Sequence, residues 1–133
     1  TEHRLEVKTT GNTTIIDNSY NTNPTVVVSS LKLLDTVGQK KHKILITPGL
    51  VEQGRNSDHE NKKFIRQAAS VADEIIIVGE SFRESLKQGL KEAEFPSNKT
   101  HFTASTKSAL EKASNLHDMF WKALKLVLKN LEK

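Results

Sequence analysis

Ile75-Ile76-Ile77-Val78-Gly79 constrains the fold more than any other stretch of this chain. Successive side chains of a strand point to opposite faces of the sheet, so an unbroken apolar run leaves neither face for water. Such a strand belongs in a sheet covered on both sides, as parallel sheets flanked by helices are. Ile44-Leu45-Ile46 repeats the pattern earlier in the chain, within a strand predicted over 43–47. Helical spacing appears between and after these runs. Val27, Leu31 and Leu34 recur on one face of a helix over 25–36, and Phe64, Ile65, Ala68, Ala69 and Ala72 do so in a helix running from Ser57 or Asp58 to about Ala72.

The remaining elements follow from punctuation. Gly11-Asn12 separates two strands, 5–10 and 13–17. Asn23 suits an N-cap, and Pro24 suits the first helical turn, where its missing N–H costs nothing. Val26, Val27 and Val28 oppose helix propensity, so burial must decide that segment. Gly38 ends it. Ser81 can cap a helix over 82–94 that Pro96 stops. A short strand at 101–103 and a helix over 106–114 come next. The alternation predicts an α/β fold: a Rossmann-like, doubly wound, mostly parallel sheet with helices on both faces and an extra C-terminal amphipathic helix. At 133 residues the chain reads as a single domain, 1–133, large enough to bury a core.

Composition removes several function classes. There is no cysteine, hence no disulfide, thiolate nucleophile or cysteine metal site, and a reducing cytoplasm is the compatible compartment. No apolar run approaches the ~20 residues of a membrane span, and no signal-peptide pattern opens the chain. A membrane is therefore not an expected partner. The net charge of +4 is spread among acidic residues, with one compact cluster at Lys40-Lys41-His42-Lys43 that reads as a solvated turn before a strand. With one Tyr, one Trp and five scattered Phe, no basic stripe with stacking aromatics emerges, and nucleic acid is not an expected partner either.

Thr14-Ile15-Ile16-Asp17-Asn18-Ser19-Tyr20-Asn21-Thr22-Asn23-Pro24 places short polar side chains between a strand end and a helix start. Open α/β sheets bind polar ligands there, beside free helix N–H groups. This segment resembles the D-D-S-Y-N-A-N-P signature opening the C-terminal domain of Mur ligases, especially members that add D-Ala-D-Ala to the peptidoglycan precursor. Lys43 to Gly54, through Pro48-Gly49-Leu50-Val51-Glu52-Gln53, is similar to that family's strand followed by G-D-M-x-E-L-G, and His59 falls where a histidine often follows. His3-Arg4-Leu5-Glu6 resembles the H-R-x-E that carries an arginine across from the preceding domain.

The resemblance implies a nucleotide-binding set of Arg4, Asp17, Asn18, Tyr20, Asn21 and Asn23. An acceptor-only carboxylate at Asp17 can hold both ribose hydroxyls, and Asn18 stands where the family has a second acid. Tyr20, Asn21 and Asn23 would line the adenine or ribose edge, and Arg4 would meet a phosphate or ribose near the domain hinge. Gly49, Glu52 and His59 would help bind the incoming amino acid or dipeptide, with Gly49 and Gly54 allowing close backbone approach. On the residues alone, Asp17 and Asn18 also fit an Asx turn, Tyr20 a packed ring, Arg4 a solvated surface residue and His59 a first-turn helix residue.

No G-x-x-x-x-G-K-[ST] loop is present to cradle a triphosphate, and no G-x-S-x-G or serine–histidine–acid order occurs. The resemblance therefore implies a closing domain that needs a central ATPase domain, with ATP and Mg2+ acting in the full-length ligase. The chain by itself is expected to be inactive. Residues 116–133 depart from the family. Leu116, Phe120, Ala123, Leu124, Val127, Leu128 and Leu131 form an amphipathic stripe where a final strand and K-G-S-R-like loop would stand. That helix could pack on its own domain or present a face for a partner or a second copy, giving helix-mediated self-association. Membrane attachment fits less well, because acidic residues elsewhere dilute the basic face.

Overall fold

In the computed structural model, residues 6–17, 24–37, 41–51 and 53–131 are described. Five strands, β1 (Glu6–Thr10), β2 (Thr13–Asp17), β3 (His42–Thr47), β4 (Glu74–Val78) and β5 (Thr100–Thr103), lie in the order β1-β2-β3-β4-β5. β1 pairs antiparallel with β2, and every other pairing is parallel. The parallel crossovers are α1 (Pro24–Val37), α2 (Ser57–Ala69) and α3 (Arg83–Glu92), and α4 (Thr106–Leu131) follows β5.

The apolar runs behave as the pleat demands. Ile16, Leu45, Ile75 and Ile77 point to the face covered by Leu31 and Leu34 of α1, Phe64, Ile65 and Ala68 of α2, and Leu86 and Leu90 of α3. Ile44, Ile46 and Ile76 point the other way, onto Ala109, Ala113 and Leu116 of α4. Three crossovers thus cover one face, and the terminal helix α4, which joins no further strand, covers the other. Small alanines on α4 let the helix settle close to the bulky isoleucines beneath it.

Several boundaries differ from expectation. The helices expected over 106–114 and from 116 onward are one helix of 26 residues. No Gly or Pro lies between them, and Ala109, Ala113, Leu116 and Phe120 keep a single phase, so nothing interrupts propagation. α2 stops at Ala69 rather than Ala72: the Ser70 hydroxyl bonds back to Gln67 O at 2.7 Å, and a tight turn delivers Ala72 to the core. α3 opens with Phe82 at its N-cap, not Ser81, and without a side-chain capping bond. It ends two residues early because Glu94 takes a left-handed φ of 57°, while Phe95 N donates to Leu90 O. A short 3-10 turn, Gly54–Asn56, precedes α2, so Ser57 begins that helix and does not cap it.

Candidate functional site at the carboxyl edge of the sheet

The parallel strands β2 to β5 end on one edge, where Asp17, Thr47, Val78 and Thr103 are the last strand residues. α1 opens with Pro24 after the segment that leaves β2, and α2 opens after the loop that leaves β3. The ends of β2 and β3, from which the two motif-bearing connections leave, therefore stand on the same edge. Asp17 stands opposite Ile46 in the β2–β3 register, one residue before Thr47. Arg4, Asn18, Tyr20, Asn21, Asn23 and Glu52 lie outside the described residues.

Asp17 is buried, at 3 % exposure. Strand parity turns it toward the α4 side with Thr13 and Ile15, and these three line a cavity of about 220 Å³ with Lys8, Leu110, Ser114 and His117. Its lining joins apolar Ile15 and Leu110 to polar side chains that include a lysine and an aspartate. Thr13 Oγ1 and His117 Nδ1 are buried there without a hydrogen-bond partner among the described residues. An acceptor-only carboxylate beside such groups suits a ligand bearing hydroxyls.

The loop after β3 is held from within. Thr47 Oγ1 accepts from Gly49 N at 3.1 Å. Asn61, fully buried on α2, accepts from Leu50 N at 2.7 Å through Oδ1 and donates through Nδ2 to Leu50 O at 3.0 Å and Ser57 O at 2.9 Å. Gly49 has a φ of 96°, and a Cβ there would stand 2.7 Å from Asn61 Oδ1 and 3.1 Å from Phe82 Cβ. Its glycine is required by internal packing. At Gly54, φ is 56° and a Cβ would meet open space, so that position keeps room for an approaching group.

His59 is exposed in the first turn of α2. Beside it, Asp58 accepts from Ser85 Oγ at 2.6 Å and pairs with Lys62 at 2.9 Å, tying the start of α2 to α3. The Ser85 hydroxyl first, then Lys62, hold the Asp58 carboxyl below the ordinary aspartate range. No group of three or more His, Asp or Glu side chains suited to a metal ion occurs among the described residues. No helix among them is long and apolar enough to cross a membrane.

Two features escaped the sequence reading. Asn61 looks like an ordinary polar residue of an amphipathic helix, and only its position on the inward face, one turn after the helix start, hints at a loop clamp. Glu74 lies between two histidines, accepting from His42 Nε2 at 2.8 Å and from His101 Nε2 at 2.9 Å. The three residues come from β3, β4 and β5, and sequence spacing carries no sign of that ladder.

No curated protein and no solved structure matches the chain. The family model described as "Mur ligase, glutamate ligase domain" matches residues 3–119, which take in all five strands and the sheet-packed part of α4. The strand–loop–helix connections at the carboxyl edge and this match over most of the chain lead to one conclusion: the chain belongs to the Mur ligase C-terminal domain family.

Proposed function

We propose that this chain is the nucleotide- and substrate-closing domain of an ATP-dependent amide ligase acting on a peptidoglycan precursor in the cytoplasm, most like the members that add D-Ala-D-Ala. The observation that carries the reading is the convergence at one edge: Asp17, the last residue of β2, stands in register beside the end of β3, where the Thr47-Pro48-Gly49-Leu50 loop is clamped. In this reading Asp17 accepts ribose hydroxyls, with Asn18, Tyr20, Asn21 and Asn23 along the base and sugar and Arg4 toward the phosphates. Gly49, Glu52 and His59 face the incoming amine. ATP phosphates and Mg2+ are held by a central ATPase domain, so the present chain does not turn over alone.

An NMR titration with ATP tests the reading directly. Asp17, Asn18, Tyr20 and Asn23 should shift together, with affinity near the millimolar range, because one domain supplies only base and ribose contacts against the entropy lost on binding. Shifts confined to residues 40–43, or none at high nucleotide concentration, would overturn it. A stand-alone interaction domain of the same fold is the second reading, favoured by α4 continuing past the matched region with apolar residues exposed. An open reading frame with a G-K-[ST] phosphate loop upstream of Thr1 decides for the ligase.

A further inference from the structure

β5 ends the sheet on the side away from β1, so one of its edges has no described strand beside it. Thr103 O accepts from Gly79 N at 2.8 Å, which turns the peptide groups of His101 and Thr103 toward β4. Peptide groups alternate along a strand, so those of Thr100 and Phe102 point outward. Thr100 N donates back to Ser97 O. Thr100 O and both backbone groups of Phe102 are left on the open edge, and no described residue bonds to them there.

α3 runs beside that edge. Thr100 and Phe102 stand opposite Ile75 and Ile77 in register, on the face that α3 covers. Between helix and edge lies a groove of about 400 Å³. Its lining joins apolar Leu90, Phe95 and Phe102 to Lys87 and Lys91, with Glu84 as its one acid among the described residues. The Arg83 guanidinium and the Lys87 ammonium lie over the Phe102 ring, 5.0 Å and 5.7 Å from its centroid. Arg83, Lys87 and Lys91 recur at every fourth residue of α3, a row about 12 Å long at ~1.5 Å per residue. None of the three has a carboxylate within ion-pair distance among the described residues. Lys62 and Arg66 on neighbouring α2, by contrast, are paired with Asp58 and Glu92.

We propose that this edge takes an extended, acidic segment of a partner protein, which adds to the sheet beside β5 and sets alternate carboxylates against the Arg83–Lys87–Lys91 row. The outward backbone groups of Thr100 and Phe102 supply the pairing that strand addition needs. The spacings agree: successive cations stand about 6 Å apart along α3, and same-side residues of a strand recur at ~6.6–6.8 Å. Glutamate suits the groove better than aspartate, because its methylenes can cover the Phe102 ring, which is 39 % exposed. Charge also argues against a second copy. Two β5 edges paired in one continuous antiparallel sheet would bring both α3 helices onto the same face, cation row against cation row. The site does not rest on the ligase reading, since β3 and β4 separate it from Asp17.

The probe is an acetylated, amidated heptapeptide in which glutamate alternates with valine. Added to the 133-residue chain at low ionic strength, it should shift the NMR amide signals of residues 83–91 and 100–103 and slow exchange of the Phe102 amide. Lys87→Glu and Lys91→Glu should each weaken binding by about fivefold or more. Lys129→Glu, the same charge change on α4, should leave it unchanged, with far-UV circular dichroism of all three matching the parent chain. A peptide N-methylated at every amide, which keeps its charge and loses its donors, should not bind, and neither should one with lysine in place of glutamate. No shifts at millimolar peptide, or equal binding of the methylated or lysine peptide, would overturn the proposal. An equal response to a single-stranded oligonucleotide, or concentration-dependent shifts at residues 100–103 without peptide, would overturn it as well.

Discussion

Replacing Asn61 with alanine should cost about 2–4 kcal/mol of folding stability, and the estimate follows from which groups are left behind. Asn61 is fully buried and Leu50 nearly so, and the Asn61 amide serves both Leu50 backbone groups, as acceptor at 2.7 Å and donor at 3.0 Å. Truncation leaves a buried N–H and a buried C=O unpaired, each costing about 1–3 kcal/mol, while Ser57 O keeps its place in the helix ladder. Asn61→Asp separates hydrogen bonding from volume. Its second oxygen would face Leu50 O and Ser57 O, two acceptors, so at neutral pH it should be at least as damaging as alanine. Protonation supplies the missing donor, which raises the folded-state pKa of the new carboxyl above its unfolded value. The stability recovered is present below the unfolded pKa and is lost as pH rises through the folded one. Urea unfolding at neutral and acidic pH, with hydrogen exchange at the Leu50 amide, measures both effects. An alanine variant within ~0.5 kcal/mol of the parent, or an aspartate variant as stable as the parent at pH 7, would refute the clamp.

Glu74→Ala should destabilise by about 2–4 kcal/mol, because His42 and His101 lose a shared, largely buried acceptor; Glu74→Gln should cost less, since its amide oxygen still serves one imidazole. Thermal and urea unfolding of the two variants gives the order. The Asp58 carboxyl should titrate below the ordinary aspartate value by NMR, and Ser85→Ala should move it back up. Since its folded pKa is depressed, its stabilising contribution is present above the unfolded value and fades as pH falls through the folded one.

Periodicity carried the fold. The Ile75–Val78 run demanded two covered faces, and the structure covers them with α1, α2 and α3 on one side and α4 on the other. Helix ends were harder, because local competition decides them: the Ser70 hydroxyl bonding to Gln67 O and the left-handed Glu94 are single-residue events that no stripe reveals. A break expected near Ser114 vanished because Asn115 is exposed and costs little in a helix already pinned by Ala113 and Leu116. The carboxyl-edge location of Asp17 was legible from the strand–polar–proline pattern. Its burial toward α4 was not, since the face taken by a strand's last residue depends on register with β3. Gly49 shows a related limit: a glycine in a candidate ligand loop invites a functional reading, yet Asn61, Phe82 and Leu86 already explain it.

The cavity beside Asp17 bears on whether that carboxylate can meet a ligand at 3 % exposure. A dry space of about 220 Å³ would leave Thr13 Oγ1 and His117 Nδ1 desolvated at about 1–3 kcal/mol each. Its lining argues instead for a wet one: Lys8, Asp17, Ser114 and the two orphaned atoms offer the several polar partners that an enclosed water needs. Waters held only by neighbouring side chains are displaceable by ligand hydroxyls at little cost, provided that the new groups repeat their hydrogen bonds. Thr13→Val distinguishes the two states. In a wet cavity the valine removes an anchor for bound water and should destabilise by about 0.5–1.5 kcal/mol. In a dry one it removes an unsatisfied hydroxyl and stabilises. A Thr13→Val chain more stable than the parent in urea unfolding would therefore close the cavity to hydroxyl-bearing ligands, and Asp17 would then be a structural residue at the end of β2.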